Sequence, residues 1–179
     1  MYAIIREFTR RPEVQAPYAA AVKEFSALRA QQPGDRGGVS VDAGDGHRIS
    51  LGLWESEAAN SAASRILQPH VERLLGPYRM SPATILYQGP VVADDLGAAS
   101  PFAVIRESNY YSGGWARSQA AREEFWAIRA QQPGYRGTVT LDAGDDRIVT
   151  FALWESEQLA NAAAPILRPH SERLFGAVW

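Results

Sequence analysis

The chain has no cysteine, only two methionines and only three histidines among its 179 residues. Disulfides, thiolate metal sites and a cysteine nucleophile are thereby excluded, and the composition suits a reducing cytoplasm. Long apolar runs are missing too. The start, Met1-Tyr-Ala-Ile-Ile-Arg-Glu, is charged by its sixth residue and has no signal-peptide core or membrane span. A cytoplasmic protein without a membrane partner is expected. Neither sign of charge is in excess, since 18 basic and 20 acidic residues are interspersed to a net −2. No basic stripe exists to follow a phosphate backbone, so nucleic acid is not an expected partner. Signature loops are absent as well: the chain holds no Gly-x-Gly-x-x-Gly, no Walker loop, no nucleophile elbow and no His-Glu-x-x-His. Gly44-Asp45-Gly46 becomes Gly144-Asp145-Asp146 later in the chain and reads as a turn.

What the chain does contain is a copy of itself. Tyr2 to Pro77 aligns without a gap on Phe102 to Ala177, and about half of the pairs are identical. Arg29-Ala-Gln-Gln-Pro-Gly34 returns as Arg129-Ala-Gln-Gln-Pro-Gly134, and Leu53-Trp-Glu-Ser-Glu57 as Leu153-Trp-Glu-Ser-Glu157. Two copies are too few for a solenoid, so the repeat predicts two similar domains joined as a fused pseudo-dimer. We expect a first domain over 1–92, an exposed linker over 93–101, and a second domain over 102–179.

Within each copy the pattern predicts the order β-α-β-β-α-β. Ala3–Phe8 and Ala103–Ser108 are short β-rich runs. Ala21, Val22, Phe25, Leu28 and Arg29 recur at helical spacing until Pro33-Gly34 stops the helix. Val39–Asp42 and Ile49–Trp54 alternate around a turn, which predicts a hairpin. Ser56 and Ser156 read as N-caps of a second helix carrying Ala62, Ile66 and Leu67, with Pro69 and Pro169 opening a further turn. Ala83–Gln88 supplies a fourth strand in the first copy, and the second copy ends without an equivalent. This order is the ferredoxin-like unit of an α+β fold, whose helices cover one face of an antiparallel sheet. Two such sheets packed face to face, helices outside, would enclose a cavity.

The stretch from Gln-Pro-Gly-x-Arg-Gly to Leu-Trp-Glu-Ser-Glu, present in both copies, resembles the antibiotic biosynthesis monooxygenases of the dimeric α+β barrel superfamily. The resemblance implies an intramolecular pseudo-dimeric α+β barrel of two ferredoxin-like repeats packed sheet to sheet, the second lacking its last strand. It implies an oxidoreductase: a cofactor-independent monooxygenase of aromatic or polyketide-like molecules. The alternative is a non-catalytic binding or stress-associated domain of the same fold. Further self-association stays open. Haem-degrading relatives use a helix Trp and a later His, and the matching positions here are Ala63 and Arg73.

Alternation then nominates site residues. With Val39, Val41, Ile49, Leu51 and Leu53 set against the helices, Ser40, Asp42, Ser50 and Trp54 would point between the sheets, as would Thr140, Asp142, Thr150 and Trp154. Parity cannot choose a face for the first strand; the resemblance selects Arg6, Phe8, Arg106 and Ser108. Arg6 and Arg106 could bind a phenolate, carboxylate or enolate, or else pair with Asp42 and Asp142. Trp54 and Trp154 could stack on a ring or serve as packing. Asn109 and Tyr110 begin the segment where the copies differ most, Asn109-Tyr-Tyr-Ser-Gly-Gly-Trp115, a candidate pocket lid or rim, or else an interface patch or a cap in place of the missing fourth strand; if only one pocket works, this asymmetry favours the second copy. His70 and His170 are the only paired imidazoles and the only candidate metal or haem ligands. Neither has ligand spacing around it, so a structural role is the default and no metal or cofactor is expected.

Overall fold

Tyr2–Thr9 is rich in β-branched and aromatic residues and forms β1, which lies between two other strands. Helix α1 (Gln15–Ala30) follows and ends at Gln-Gln-Pro-Gly. β2 (Asp35–Asp42) and β3 (His47–Trp54) form the expected hairpin, with Ser40 opposite Ser50 and Val41 opposite Ile49. Ser56 then caps α2 (Glu57–His70), its Oγ accepting a hydrogen bond from the Ala59 amide at 3.1 Å. β4 (Thr84–Asp94) runs antiparallel to β1 from Thr84 to Pro90. The structure, a computed structural model, describes residues 1–96 and 102–176.

Two compact units emerge, Met1–Pro90 and Val91–Trp179. The first has strand order β2-β3-β1-β4, all antiparallel, which is the ferredoxin-like arrangement. The second contains β5 (Phe102–Asn109), a short α3 (Gly114–Arg117), α4 (Gln119–Ala130), β6 (Tyr135–Asp142), β7 (Arg147–Trp154) and α5 (Glu157–Phe175). Here β7 lies between β5 and β6, and Val91–Asp94 adds to the free side of β6. As expected, the second repeat has no fourth strand of its own among the described residues.

Three expectations change. Ala93 and Asp94, read as linker, are strand residues paired with Thr140 and Val139, because β4 continues past Gln88 to Asp94. The part of the linker from 97 to 101 lies outside the described residues. Pro69 and Pro169 sit inside helices, with a π-helical turn at Val71–Leu75 in the first unit and an unbroken helix in the second. Both prolines are on the exposed side, where water satisfies the carbonyl that a proline leaves unbonded. Ile66 of α2 is 56% exposed, and Ala63 and Leu67 are the residues it buries.

The largest correction concerns the faces of the sheets. Trp54 packs with Tyr2, Ile4, Ala63 and Leu67, against Phe25 and Leu28 of α1, so its face lies beneath the helices. Trp154 does the same with Ala160, Ala163 and Leu167. Ser40, Asp42, Ser50, Thr140, Asp142 and Thr150 share these strand faces by register and are therefore on the helix side, not the opposite one. The more apolar face, with Ile5, Leu51, Val139, Leu141, Val149 and Phe151, is buried as well, each of these residues at most 1% exposed. Both faces being out of water, the more apolar one need not be the one that meets the helices.

One close contact recurs in each unit. Gly34 and Gly134 have φ of +80° and +79°, the left-handed conformation that ends a helix, and a Cβ there would lie 2.7 Å from Ala59 Cβ and 2.5 Å from Leu159 Cδ1. Gly134→Ala is expected to lower stability by about 1–3 kcal/mol through backbone strain and this clash. An unchanged urea midpoint would show that the turn is not tight.

Candidate functional site

In the second unit the layer between sheet and helices is not filled. A cavity of about 100 Å³ is left there, floored by Arg106, Ser108, Thr140, Thr150 and Trp154 of β5, β6 and β7 and roofed by residues of α4 and α5. Phe125, Trp126 and Arg129 come from α4, and Ala160, Ala164 and Leu167 from α5. The small alanines matter, because they keep the roof away from the floor. Tyr110, Trp115 and Arg122 form one end of the cavity, from the segment where the copies diverge. Gly113 with φ +70° turns the chain into α3 and so delivers Trp115 to this wall.

The wall is held by a cation on aromatic rings. Arg122 lies 3.6 Å from the Trp115 ring centroid and 5.9 Å from that of Trp126, and donates hydrogen bonds to the Trp115 carbonyl and to Ser118 Oγ. Tyr110 meets Trp115 edge to face at 5.6 Å. Deeper in, Arg129 lies 5.2 Å from the Tyr135 ring and 5.7 Å from that of Phe125, and Tyr135 packs edge to face on Trp154. Burial pulls the Arg129 pKa below its ordinary value, with Tyr135 and Asp95 opposing the shift, and the guanidinium keeps its charge at neutral pH. Burial above all, with the Asp95 carboxylate adding and Arg129 opposing, pushes the Tyr135 phenol up to about 12, so it remains a donor.

Of the residues expected at a site, Arg106, Ser108, Tyr110, Thr140, Thr150 and Trp154 converge on this cavity. Asn109 is exposed at the end of β5 and does not line it. Asp142 accepts from the Gly144 amide at 2.8 Å and shapes the hairpin. In the first unit Asp42 does likewise and pairs with Arg48 at 3.1 Å and Arg10 at 3.5 Å, so the partner foreseen in Arg6 is not the one it takes. Ser40 accepts from Arg48. Ser50 sits opposite Arg6 in the sheet. Arg6 is half-buried, and burial, with Arg29 and Arg79 nearby, lowers its pKa to about 10. Phe8 is core, packed with Tyr18 and Leu74 and capped by Arg79 at 4.4 Å from its centroid. Trp54, 4% exposed, packs in the core beneath Arg29, which is 5.0 Å from its ring centroid. His70 and His170 are half-buried on their helices, and no cluster of three metal-ligating side chains exists among the described residues.

Comparison with solved structures covers the whole chain. A putative monooxygenase of Fusobacterium nucleatum is similar over 99% of this chain and 87% of its own, at 8% identity and a TM-score of 0.73. A putative monooxygenase of Lactobacillus acidophilus covers 99% and 88%, at 11% identity and a TM-score of 0.71. The chain shares the α+β fold of these proteins, with two ferredoxin-like units in tandem. An anthrone oxidase-like protein is similar at 15% identity and a TM-score of 0.59, over 99% of this chain and 86% of its own. No protein-family model and no curated protein matches the sequence. In the second unit, reading the sequence missed Arg129, Phe125 and the α5 alanines as cavity residues. Their signal was present: Arg129 directly precedes the repeated Ala-Gln-Gln-Pro-Gly, and Trp126 stands against Ser26. Setting the helices on the wrong face hid it.

Trp154→Ala, which truncates a side chain only 3% exposed, is expected to destabilise the protein by about 3–5 kcal/mol. Arg106→Ala, at an exposed edge position, should stay within about 0.5 kcal/mol of the parent. Chemical denaturation separates the two; equal losses would mean that the Trp154 indole is not part of the core.

Proposed function

We propose that the second unit is a cofactor-independent oxygenase acting on a small electron-rich aromatic molecule, such as a hydroxyarene or an anthrone-type ring. The observation that carries this reading is the cavity lining: several aromatic rings and three arginines, with no Asp, Glu or His among the described residues. Rings supply an apolar slot for a planar substrate, and the arginines favour its ionised form. An engineered apolar cavity of similar size holds a single benzene ring, so about one ring fits inside and the rest of a larger molecule would extend through the mouth.

The chemistry follows from that lining. A bound phenol or enol loses its proton more readily beside Arg106, Arg122 and Arg129, and no protein carboxylate or imidazole competes for it. The resulting carbanion at the activated ring carbon attacks O₂, forming a C–O bond and a peroxide anion. Protonation gives the hydroperoxide, and loss of water leaves a carbonyl, so that R₂CH₂ and O₂ become R₂C=O and H₂O. Ser108, Thr140 and Thr150 offer hydroxyls along the floor for orienting the substrate oxygen. The names of the neighbours of similar fold, two monooxygenases and an anthrone oxidase-like protein, support an oxygenase.

A second reading is a binding domain without catalysis, favoured by the lack of a general base in the lining. An oxygen electrode distinguishes the two. With one- to three-ring hydroxyarenes and anthrone, the oxygenase consumes one O₂ per substrate, with no added cofactor and no loss of rate after dialysis against a chelator. Because the described lining contains no carboxylate or imidazole, the acid limb of kcat/KM should move with the hydroxyl pKa of each substrate. A limb fixed at one pH for every substrate would mean a protein base. Binding without oxygen uptake for the whole panel would favour the non-catalytic reading.

A further inference from the structure

Both repeats end their long first helix on the same arginine, and the two units treat its charge differently. In the first unit Arg29 Nη2 lies 2.7 Å from Asp35 Oδ1 and donates to the carbonyls of Gly37 at 2.5 Å and Leu53 at 3.3 Å. Gly38 makes room for this, since a Cβ there would fall 2.8 Å from Arg29 Nη1. The guanidinium is neutralised, hydrogen-bonded and laid over Trp54.

The second unit has changed both residues that allow this. Position 135 is Tyr where position 35 is Asp, and position 138 is Thr where position 38 is Gly. Thr138 is 2% exposed, so its side chain is packed at the position corresponding to Gly38. Tyr135 brings no charge, and its hydroxyl is engaged with Asp95, 3.0 and 2.9 Å from the two carboxylate oxygens. The Thr138 amide donates to the same carboxylate at 2.6 Å. Among the described residues no carboxylate forms an ion pair with Arg129. Its side chain is nevertheless only 6% exposed, its Nε is buried without a hydrogen-bond partner, and it lines the cavity. Asp95 and the Tyr135 oxygen favour its charge from beside it, but a buried guanidinium without an ion pair remains undercompensated, and the open space next to it is where an anion can be supplied.

We infer that this cavity takes an aromatic monoanion whose planar oxyanion, a carboxylate or a phenolate, is held by Arg129, and that Tyr135 and Thr138 make the second repeat the ligand site. Arg106 and Arg122 add positive charge to the same cavity, and nothing acidic in its lining offsets them. Trp154, Phe125 and Trp126 provide the aromatic walls. The inference rests on the cavity being a ligand site, as in the reading above, and on no step of oxygen chemistry.

Equilibrium binding to the whole chain tests it, by calorimetry or tryptophan quenching, with two matched pairs of probes: benzoate against benzamide, and 4-nitrophenolate against nitrobenzene. At least one anion should bind about tenfold or more tightly than its neutral partner, as a charge-assisted contact in place of a neutral one implies, and the pair that shows it identifies the oxyanion. Arg129→Gln should abolish that preference, leaving the neutral probes within about twofold of the parent, while Arg129→Lys keeps part of it. Tyr135→Asp combined with Thr138→Gly rebuilds the ion pair of the first unit and should abolish it too. Equal affinity within both pairs in the parent protein overturns the inference, whether or not any variant folds. So does a preference that survives in both Arg129→Gln and the Tyr135→Asp, Thr138→Gly double variant. Anion preference without oxygen uptake would remove the oxygenase reading and leave this one standing.

Discussion

A sheet with both faces out of water must satisfy two packing partners with one alternating strand. That constraint governs each unit of this chain. In β7 the even positions, Ile148 to Trp154, lie under the helices and the odd positions, Val149 to Leu153, under no helix, yet nearly all are buried. One face is largely apolar, with Val149, Phe151 and Leu153. The other mixes tryptophan, threonine, serine and arginine, and only a helix layer carrying aromatic rings and small residues can close over such a surface. In the first unit Tyr2, Ile4, Trp54, Ala63 and Leu67 pack together in this layer. Where the alanines at 160 and 164 hold the roof apart, a cavity remains.

The fate of one cation then distinguishes two units built from nearly the same instructions. An arginine at the end of a helix, directed under a sheet, needs a counter-charge or a full set of acceptors. In the first copy the turn that follows the helix supplies both, through Asp35 and the carbonyls of Gly37 and Leu53. In the second copy the same turn supplies a phenol, and the nearby carboxylate of Asp95 is bound to that phenol and to a backbone amide. Duplication within one chain permits this divergence, because one copy can keep the stable solution while the other is free to leave its charge open.

The electrostatics of the cavity limits the chemistry that can happen in it. A lining of rings and guanidinium groups, without carboxylate or imidazole, cannot relay protons near neutral pH, but it can hold an anion in apolar surroundings. Oxygenation of a substrate that supplies its own electrons is the reaction class that asks least of such a site. The copy-specific wall of Tyr110, Trp115 and Arg122 bounds one end of the cavity and is tied together by stacking and by hydrogen bonds to the backbone of its own turn.

The repeat, the order of elements, the hairpin turns and the serine caps were legible in the sequence, because each depends on neighbours within a few residues. Six of the cavity residues were legible too: alternation places Thr140, Thr150 and Trp154 on one face whichever face that is, the family resemblance selected Arg106 and Ser108, and Tyr110 opens the segment in which the copies differ. Which partner covers that face was not legible: period-two alternation separates the two sides of a strand but does not say which side meets a helix when both are dry. Nor was the role of Arg129, which looked like the end of a helical stripe. Its consequence depends on Tyr135, Thr138 and Asp95, brought to it by the turn after α4 and by the end of β4. Local chemistry was written in the chain; the placement of an uncompensated charge beside an open space was decided by tertiary packing, which alone sets the distance between residues far apart in sequence.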